Sequence, residues 1–259
     1  MTQPFVAVVT GASSGIGQAI AIEFARRGSS LILNCRQNLR GLESTIVQIL
    51  GLPNPKQDLF SVVSNIENAD SNQAFVDAAF ERHGYVDVWV HAAGADVLTG
   101  RARELSFSEK LARLWNTDVH GTFVLSRMAA AKMVAQPKIE NRLPSMVHLG
   151  WDQAEQGMEG DSGQFFSATK AAIAAFSKSL AKSVAPHIRV NCIAPGWIQT
   201  QWGQQASVAW QQRAIGESML GRWGSPQDIA RVVAAISFGD GAFVNGQTIA
   251  VNGGWQGYK

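Results

Sequence analysis

Short apolar runs alternate along the chain with longer stretches in which apolar residues recur every three or four positions. The short runs predict buried β-strands, and the longer stretches predict amphipathic helices that pack against them. The predicted strands are Phe5 to Thr10, Leu31 to Cys35, Phe60 to Ser64, Val86 to Ala92, Ser145 to Gly150, Ile188 to Ile193 and Gln247 to Val251. Each strand-helix-strand unit requires a crossover connection, so we expect a doubly wound, mostly seven-stranded parallel sheet with helices on both faces.

Two long segments interrupt this alternation, and both follow predicted strands. Gly150 to Gly163 is polar and glycine-rich, whereas Gly196 to Gly221 carries Trp197, Trp202 and Trp210. Open α/β sheets bind ligands at the carboxyl ends of their strands, and a plain surface insertion would expose fewer tryptophans. Residues 196–221 are therefore predicted to form a substrate lid on a single domain that spans residues 1–259.

A glycine-rich turn lies between the first predicted strand and the first predicted helix, and it reads Thr10-Gly11-Ala12-Ser13-Ser14-Gly15-Ile16-Gly17. Gly11 permits the tight turn, Gly15 lets the backbone approach a pyrophosphate, and Gly17 allows the helix to pack closely. The helix N-terminus adds unpaired N–H groups and a favourable dipole for an anion. The turn predicts a dinucleotide site in a Rossmann fold.

The spacing of this turn resembles the short-chain dehydrogenase/reductase family, and the resemblance covers nearly the whole chain. Its other motifs are His91-Ala92-Ala93-Gly94, Arg189-Val190-Asn191 before Pro195-Gly196, Gly221 to Pro226, and Asn245-Gly246-Gln247 to Gly253-Gly254. The resemblance implies an NAD(P)(H)-dependent oxidoreductase with a small-molecule substrate. The cofactor contacts that it implies come from Thr10, Gly11, Ser13, Ser14, Gly15, Ile16, Gly17, Arg36, Asn65, Ile66, Ala92, Ala93, Gly94, Lys170, Pro195, Gly196 and Ile198.

The end of the second predicted strand bears on which dinucleotide is bound. Members of the family that use NAD usually carry an acid there, but this chain reads Leu33-Asn34-Cys35-Arg36. A guanidinium can pair with a 2′-phosphate, so Arg36 favours NADP(H), with NAD(H) as the alternative. A solvated surface arginine is the other interpretation of this residue.

The catalytic Tyr-x-x-x-Lys motif of the family is incomplete in this chain. The corresponding run is Phe166-Ser167-Ala168-Thr169-Lys170, which retains the lysine and replaces the tyrosine. A phenyl ring has no exchangeable proton. The tyrosines of the chain, Tyr85 and Tyr258, lie before the fourth strand and at the C-terminus, where neither is an obvious substitute.

Two further catalytic positions also depart from the family pattern. The serine expected after the fifth strand falls at Trp151 or Asp152, and the family asparagine aligns best with Asp118, although Asn116 is close by. Ordinary carbonyl reduction is therefore in doubt, while cofactor binding remains expected.

Other acids are candidates to replace the tyrosine, and two functions stay open. Asp152 and Asp118 are the main candidates for a proton donor, because burial near a nicotinamide raises a carboxyl pKa. The weaker candidates are His148, Glu155 and Asp161. One function is an NADP(H)-dependent oxidoreductase that reduces an activated C=C or C=N bond. The alternative is a catalytically inactive dinucleotide-binding protein with a sensing or assembly role.

Composition narrows the partners and the compartment. The formal charge is +2 and the charges are scattered, so neither a nucleic-acid nor a membrane surface is indicated. Cys35 and Cys192 fall in predicted buried strands, and His91 and His148 make a poor metal site, so we expect no metal and a cytoplasmic location. The resemblance through Val244 to Gly254 implies a homotetramer or a homodimer.

Overall fold

The computed structural model of the protein describes residues 4–53 and 58–257, apart from the side chain at 240. Its strands are β1 (Val6–Thr10), β2 (Ser30–Cys35), β3 (Leu59–Val63), β4 (Val88–His91), β5 (Ser145–Leu149), β6 (Arg189–Pro195) and β7 (Thr248–Val251). Its α-helices are α1 (Gly15–Arg26), α2 (Leu39–Leu50), α3 (Ala69–His83), α4 (Phe107–Leu114), α5 (Thr122–Ala135), α6 (Gly160–Val184), α7 (Gln201–Gln205), α8 (Val208–Glu217) and α9 (Pro226–Ser237). Each predicted strand is confirmed, with ends displaced by one or two residues.

All seven strands lie in one parallel sheet, in the order β3-β2-β1-β4-β5-β6-β7. The chain runs outward from β1 in one direction through β3, and then returns to continue in the other direction from β4. Connections therefore leave the sheet on opposite faces on either side of the β1/β4 boundary, and a crevice opens there at the carboxyl ends. This confirms the predicted single-domain, doubly wound Rossmann fold.

The sheet separates two apolar cores. In β1, Ala7 and Val9 belong to the core that includes α1 and α9, whereas Val6 and Val8 belong to the core that includes α3 and α5. All five residues of β1 are buried, as a strand covered on both faces requires. This packing holds the carboxyl end of β1, and the turn that follows it, on a rigid support.

Helices α4 and α5 are joined without a break by a π-helical turn, Trp115–Gly121. Such turns are rare, and many of them lie at functional sites because they redirect a side chain. This turn directs Asp118 towards the segment after β4, where a Cβ on Gly94 would lie 3.2 Å from the Asp118 carboxylate.

The segment 196–221 folds as α7 and α8 and a closing turn at the carboxyl end of β6. Ser218 forms an antiparallel bridge with Trp255, so the segment is tied to the stretch that follows β7. At its other end, the Thr200 methyl group would lie 3.6 Å from a Cβ on Gly15. The segment therefore spans from the glycine-rich turn to the C-terminal stretch. No helix in the described ranges is long and apolar enough to cross a membrane.

Candidate active site

A cleft of about 760 Å³ opens at the carboxyl edge of the sheet. The predicted cofactor residues that line it are Gly11, Ser13, Ser14, Gly15, Ile16, Gly17, Arg36, Asn65, Ile66, Ala92, Ala93, Gly94, Lys170, Pro195, Gly196 and Ile198. Asp118, Trp151 and Phe166 line the same cleft. The fold thus brings together residues from most of the length of the chain, as the carboxyl-edge rule predicts.

The glycine-rich turn fits a pyrophosphate. Gly11 has φ +65°, and a Cβ on it would lie 2.7 Å from the Ala92 carbonyl oxygen, so a larger residue is excluded. A Cβ on Gly17 would collide with the carbonyl oxygen of Gly11. Ser14 caps α1 without a side-chain hydrogen bond, which leaves the first N–H groups of the helix facing the cleft.

Thr10 has a different role from the direct cofactor contact that the resemblance implied. It is fully buried and is not among the residues that line the cleft. Its hydroxyl accepts hydrogen bonds from the N–H groups of Ala92 (3.1 Å) and Ala93 (3.0 Å). Because those bonds join the end of β1 to the segment after β4, Thr10 braces the floor of the cleft.

Arg36 lines the cleft at the end of β2, as expected, but it already has a partner. Its guanidinium lies 2.9 Å from the Glu67 carboxylate, and both side chains are partly exposed. The same carboxylate accepts a hydrogen bond from the Thr117 hydroxyl. A 2′-phosphate at this position would compete with Glu67 for the guanidinium.

Lys170 and Asp118 form a buried ion pair in the centre of the cleft. The Lys170 ammonium lies 2.9 Å from one Asp118 oxygen, and the other oxygen accepts the N–H of Ala95 at 2.7 Å. The Asp118 side chain is 2% exposed and that of Lys170 is 16% exposed. Since the two charges are opposite and adjacent, the field that Lys170 projects into the cleft is largely cancelled.

Phe166 and Trp151 form an apolar wall beside this ion pair. Their ring centroids lie 6.3 Å apart in an edge-to-face arrangement. Phe166 lies one helical turn before Lys170 on α6, so the two side chains share a face of the helix. The wall offers no hydroxyl where the resemblance placed a tyrosine and a serine.

Asp152 does not line the cleft itself, although its carboxylate would lie 3.2 Å from a Cβ on Gly196, which does. The Asp152 carboxylate accepts a hydrogen bond from the Asn252 side chain at 3.0 Å. Burial raises the pKa of Asp152 to about 6, and the Asn252 bond opposes that rise. The raised pKa suits a proton donor, but the orientation towards Asn252 disfavours direct contact with a substrate in the cleft.

The weaker candidates for a proton donor also lie outside the cleft lining. Glu155 and Asp161 are exposed, and His148 is fully buried. The Tyr85 hydroxyl donates to the carbonyl of Pro4, and Tyr258 lies outside the described residues. Of the predicted replacement acids, Asp118 alone borders the cleft in the part of the chain that is described, and it is paired with Lys170.

The two histidines of β4 and β5 meet beneath the cleft. Their rings stack at 4.9 Å, and the Ser126 hydroxyl lies 3.0 Å from Nε2 of His91 and 2.9 Å from Nε2 of His148. Because this hydroxyl donates its single proton to the Thr122 carbonyl, both imidazoles must donate from Nε2. Burial lowers the pKa of both rings, to about 3 for His148, so both are neutral. No group of three metal-ligating side chains occurs within residues 4–53 and 58–257.

Ser162 is among the polar residues of the cleft that sequence reasoning missed. It lines the cleft from α6, one helical turn before Phe166. The i, i+4 spacing from Ser162 through Phe166 to Lys170 was the available signal, since side chains at that spacing lie on one face of a helix.

Sequence reasoning also missed the support of the tryptophan-rich segment. The Glu217 carboxylate is 1% exposed and accepts hydrogen bonds from the indole N–H of Trp197 (2.7 Å) and of Trp255 (3.4 Å). The Arg213 guanidinium donates to the same residue at 2.7 Å. These partners lie up to 38 residues from Glu217 in sequence, so no local pattern indicates the cluster.

Comparison with known proteins identifies the family. A family profile described as "Enoyl-(Acyl carrier protein) reductase" matches residues 11–256. The chain belongs to the short-chain dehydrogenase/reductase family. It is 31% identical to the 3-oxoacyl-[acyl-carrier-protein] reductase FabG of Thermotoga maritima over 255 residues, with 96% of each chain covered. It is 32% identical to the 2-dehydro-3-deoxy-D-gluconate 5-dehydrogenase of Escherichia coli over 257 residues, covering 96% of this chain and 94% of the relative.

Solved structures of the short-chain dehydrogenase/reductase family superpose over the same span. The 3-oxoacyl-[acyl-carrier protein] reductase of Brucella melitensis, solved in complex with NAD, matches with a TM-score of 0.85 and 25% identity. The match covers 98% of this chain and 97% of that chain. The relatives are oxidoreductases, so this short-chain dehydrogenase/reductase has the fold and the family of a dinucleotide-dependent enzyme.

Proposed function

We propose that the protein is an NADP(H)-dependent oxidoreductase that transfers hydride to an activated C=C or C=N bond of a small molecule. The observation that carries this proposal is the wall of Phe166 and Trp151 beside the Lys170–Asp118 ion pair. Carbonyl reduction needs a positioned proton donor at the substrate oxygen, and this wall has none. Addition of hydride to an activated double bond can precede protonation, so the reaction tolerates the loss.

The residues around the cleft fit a dinucleotide in one orientation. The turn through Gly15 would hold the pyrophosphate, Lys170 would hold the nicotinamide ribose, and Arg36 would face the adenosine ribose. Arg36 favours a 2′-phosphate, and the residues 33–36 that end β2 include no acid to receive ribose hydroxyls. The cofactor supplies the hydride.

The side chains of the cleft act on the substrate by positioning it. Phe166 and Trp151 present an apolar surface against which a double bond can lie, and Ser162 offers a hydroxyl one helical turn away. Hydride adds to the carbon remote from the activating group, the π electrons move towards that group, and a water proton is added to the adjacent carbon. Asp118 keeps Lys170 in place for the ribose throughout.

The test compares an α,β-unsaturated ketone with its saturated counterpart, using NADPH deuterated at C4. We expect NADPH oxidation with the unsaturated compound, deuterium at the β-carbon and no reaction with the saturated ketone. Deuterium at the carbonyl carbon would contradict the proposal. Lys170→Met should weaken NADPH binding, whereas the exposed Lys132→Met should not.

A second candidate function is a catalytically inactive dinucleotide-binding protein with a sensing or assembly role. The observation that favours it is that Asp118 cancels the charge of the one retained catalytic residue, Lys170. NADPH binding at micromolar concentration without turnover of C=C, C=N or C=O compounds would support this candidate over the first.

Three further expectations accompany the proposal. Residues 196–221 act as a substrate lid, because the segment lines the cleft and approaches the glycine-rich turn at Thr200. The chain forms a homotetramer or a homodimer and works in the cytoplasm. Light scattering that gives a concentration-independent mass near the 27.9 kDa of one chain would contradict the assembly.

A further inference from the structure

Three tryptophans line the cleft on the side of the segment after β6. The ring centroids of Trp197 and Trp202 lie 6.0 Å apart with their planes within 24° of parallel. Trp210 lies 5.5 Å from Trp197 and 6.0 Å from Trp202. We refer to these three residues as the indole cluster. All three are partly exposed, and all three line the cleft that also contains Trp151 and Phe166.

The indole cluster is held in place before any ligand arrives. The Trp197 N–H donates to buried Glu217 at 2.7 Å, which fixes the plane of that ring. Behind the cluster, Trp223 is buried and packs 6.1 Å from both Trp197 and Trp202. A preorganised aromatic surface loses little side-chain freedom on binding, so a flat ligand can stack on it at low entropic cost.

The surroundings of the cluster disfavour a cationic ligand, the other class that tryptophan rings attract. The Arg213 guanidinium already lies over Trp210, 5.0 Å from the ring centroid. Within the described residues, the charged side chains that line the cleft are Arg36, Lys170, Asp96 and Asp118. These two cations and two acids balance, and the Lys170–Asp118 pair is internally neutral. A cation finds a face of Trp210 already occupied by this guanidinium, whose own charge is compensated by Glu159 and Glu217, and an anion finds no unpaired partner beside the rings within the described residues.

We propose that the substrate of this cleft is a neutral, planar, conjugated compound that stacks on the indole cluster. This inference rests on the proposed function in one respect: the reducible bond of the stacked compound lies beside the hydride donor. A conjugated compound also fits the chemistry, because conjugation with a carbonyl group activates a C=C bond towards hydride and keeps the conjugated atoms in one plane.

The test measures binding of 2-naphthol and of decahydro-2-naphthol by calorimetry, with and without NADPH. The two probes share the ring skeleton and the hydroxyl, and they differ in flatness and π electrons. We expect 2-naphthol to bind about tenfold more tightly than the saturated probe, which is the size of effect that two aromatic contacts provide. Equal affinity for the two probes would overturn the proposal. Tighter binding of the cation benzyltrimethylammonium than of 2-naphthol would also overturn it.

Variants locate the binding surface. Trp202→Leu and Trp210→Leu should each weaken 2-naphthol binding about fivefold, since each removes one aromatic face. The matched control is Phe243→Leu, because Phe243 is fully exposed and lies outside the cleft lining, and its affinity should not change. Unchanged affinity in both tryptophan variants would overturn the proposal.

NADPH binding to the same variants serves as the check on folding and separates the two hypotheses. Retained NADPH affinity with weakened 2-naphthol binding supports the indole cluster as the stacking surface. If 2-naphthol binds as expected but NADPH does not bind to the wild type, the proposed function fails and the aromatic site stands. If NADPH binds and both naphthol probes bind equally, the aromatic site fails alone.

Discussion

The two halves of the cleft are built from different parts of the polypeptide. The half that we propose for the dinucleotide is made mainly of backbone: Gly11 lies against the segment after β4, Gly15 lies against Thr200, and Gly17 lies against the Gly11 carbonyl oxygen. The substrate half is made of side chains, chiefly Phe166 and Trp151 and the indole cluster. Backbone geometry tolerates few substitutions, whereas a side chain can be replaced without moving the fold.

The difference teaches that cofactor binding and chemistry can separate within one domain. Lys170 belongs to both halves, and it is paired with Asp118, which stands where the resemblance implies an asparagine. A hydroxyl at position 166 would now face a lysine whose charge is already compensated. Restoring one residue is therefore not expected to restore the reaction.

The largest effect is expected from substitutions that give the substrate half the catalytic residues of the family. Wild type and Phe166→Tyr should both show very low activity on saturated ketones. The triple variant with Phe166→Tyr, Trp151→Ser and Asp118→Asn should gain about 10²- to 10⁴-fold, the contribution of a positioned general acid. NADPH absorbance with a panel of ketones measures the gain.

The control for the triple variant is Lys170→Met in the same background, which should remove the gain, because an uncompensated lysine is needed to lower the tyrosine pKa. Typical turnover of ketones by the wild type, about 1–10³ per second, would show that its carbonyl chemistry is intact.

A smaller effect is expected from damage to the dinucleotide half. Gly17→Ala places a Cβ against the Gly11 carbonyl oxygen, so the turn must shift, and NADPH affinity should fall about 10- to 100-fold. The matched control is Gly239→Ala, because a Cβ there meets no heavy atom within 4 Å. Fluorescence titration with NADPH measures both. Equal affinities in the two variants would show that the turn does not contact the cofactor.

The next effect in size is on cofactor choice, where one substitution should weaken NADPH binding and another should strengthen it. Arg36→Ala should weaken NADPH binding about tenfold and leave NADH binding unchanged, since a charge-assisted pair with the 2′-phosphate is lost. Glu67→Gln should strengthen NADPH binding by about two- to fivefold, because it removes the carboxylate that competes for Arg36 while keeping an oxygen for Thr117. Equal affinity of the wild type for NADPH and NADH would contradict the preference for NADP(H).

The smallest effect concerns stability and not activity. The pKa of Asp152 is raised from 3.8 to about 6, so the folded state binds its proton more tightly than the unfolded chain does. Stability contributed by the protonated group is therefore fully present below pH 3.8 and is lost as pH rises through 6. Asp152→Asn should raise the free energy of unfolding at pH 8 by about 1–3 kcal/mol and change it little at pH 4.

Urea unfolding at the two pH values measures this difference, and Asp161→Asn is the matched control, because Asp161 is exposed. The same stabilisation in both variants would show that burial of Asp152 is not the cause. Loss of turnover in Asp152→Asn, with NADPH binding retained, would restore Asp152 as a proton donor.

The sheet and the glycine-rich turn could be predicted because their signals are local. Apolar runs such as Phe5 to Thr10 predict strands, and the spacing of Gly11, Gly15 and Gly17 predicts the turn. Pairings between distant residues left no such signal. Lys170 meets Asp118 across 52 positions and Asp152 meets Asn252 across 100, so only the folded chain shows that one acid is paired with a lysine and the other is bonded to an amide outside the cleft lining.

The position of Ser126 between two histidines limits which substitutions the chain tolerates there. Its hydroxyl accepts from both His91 and His148, so Ser126→Ala would leave two buried N–H donors without an acceptor, at about 1–3 kcal/mol each. Replacing one histidine first removes one of those donors and lessens the harm of the second substitution. The three positions therefore form a coupled unit, and the order in which substitutions accumulate decides which of them the fold survives.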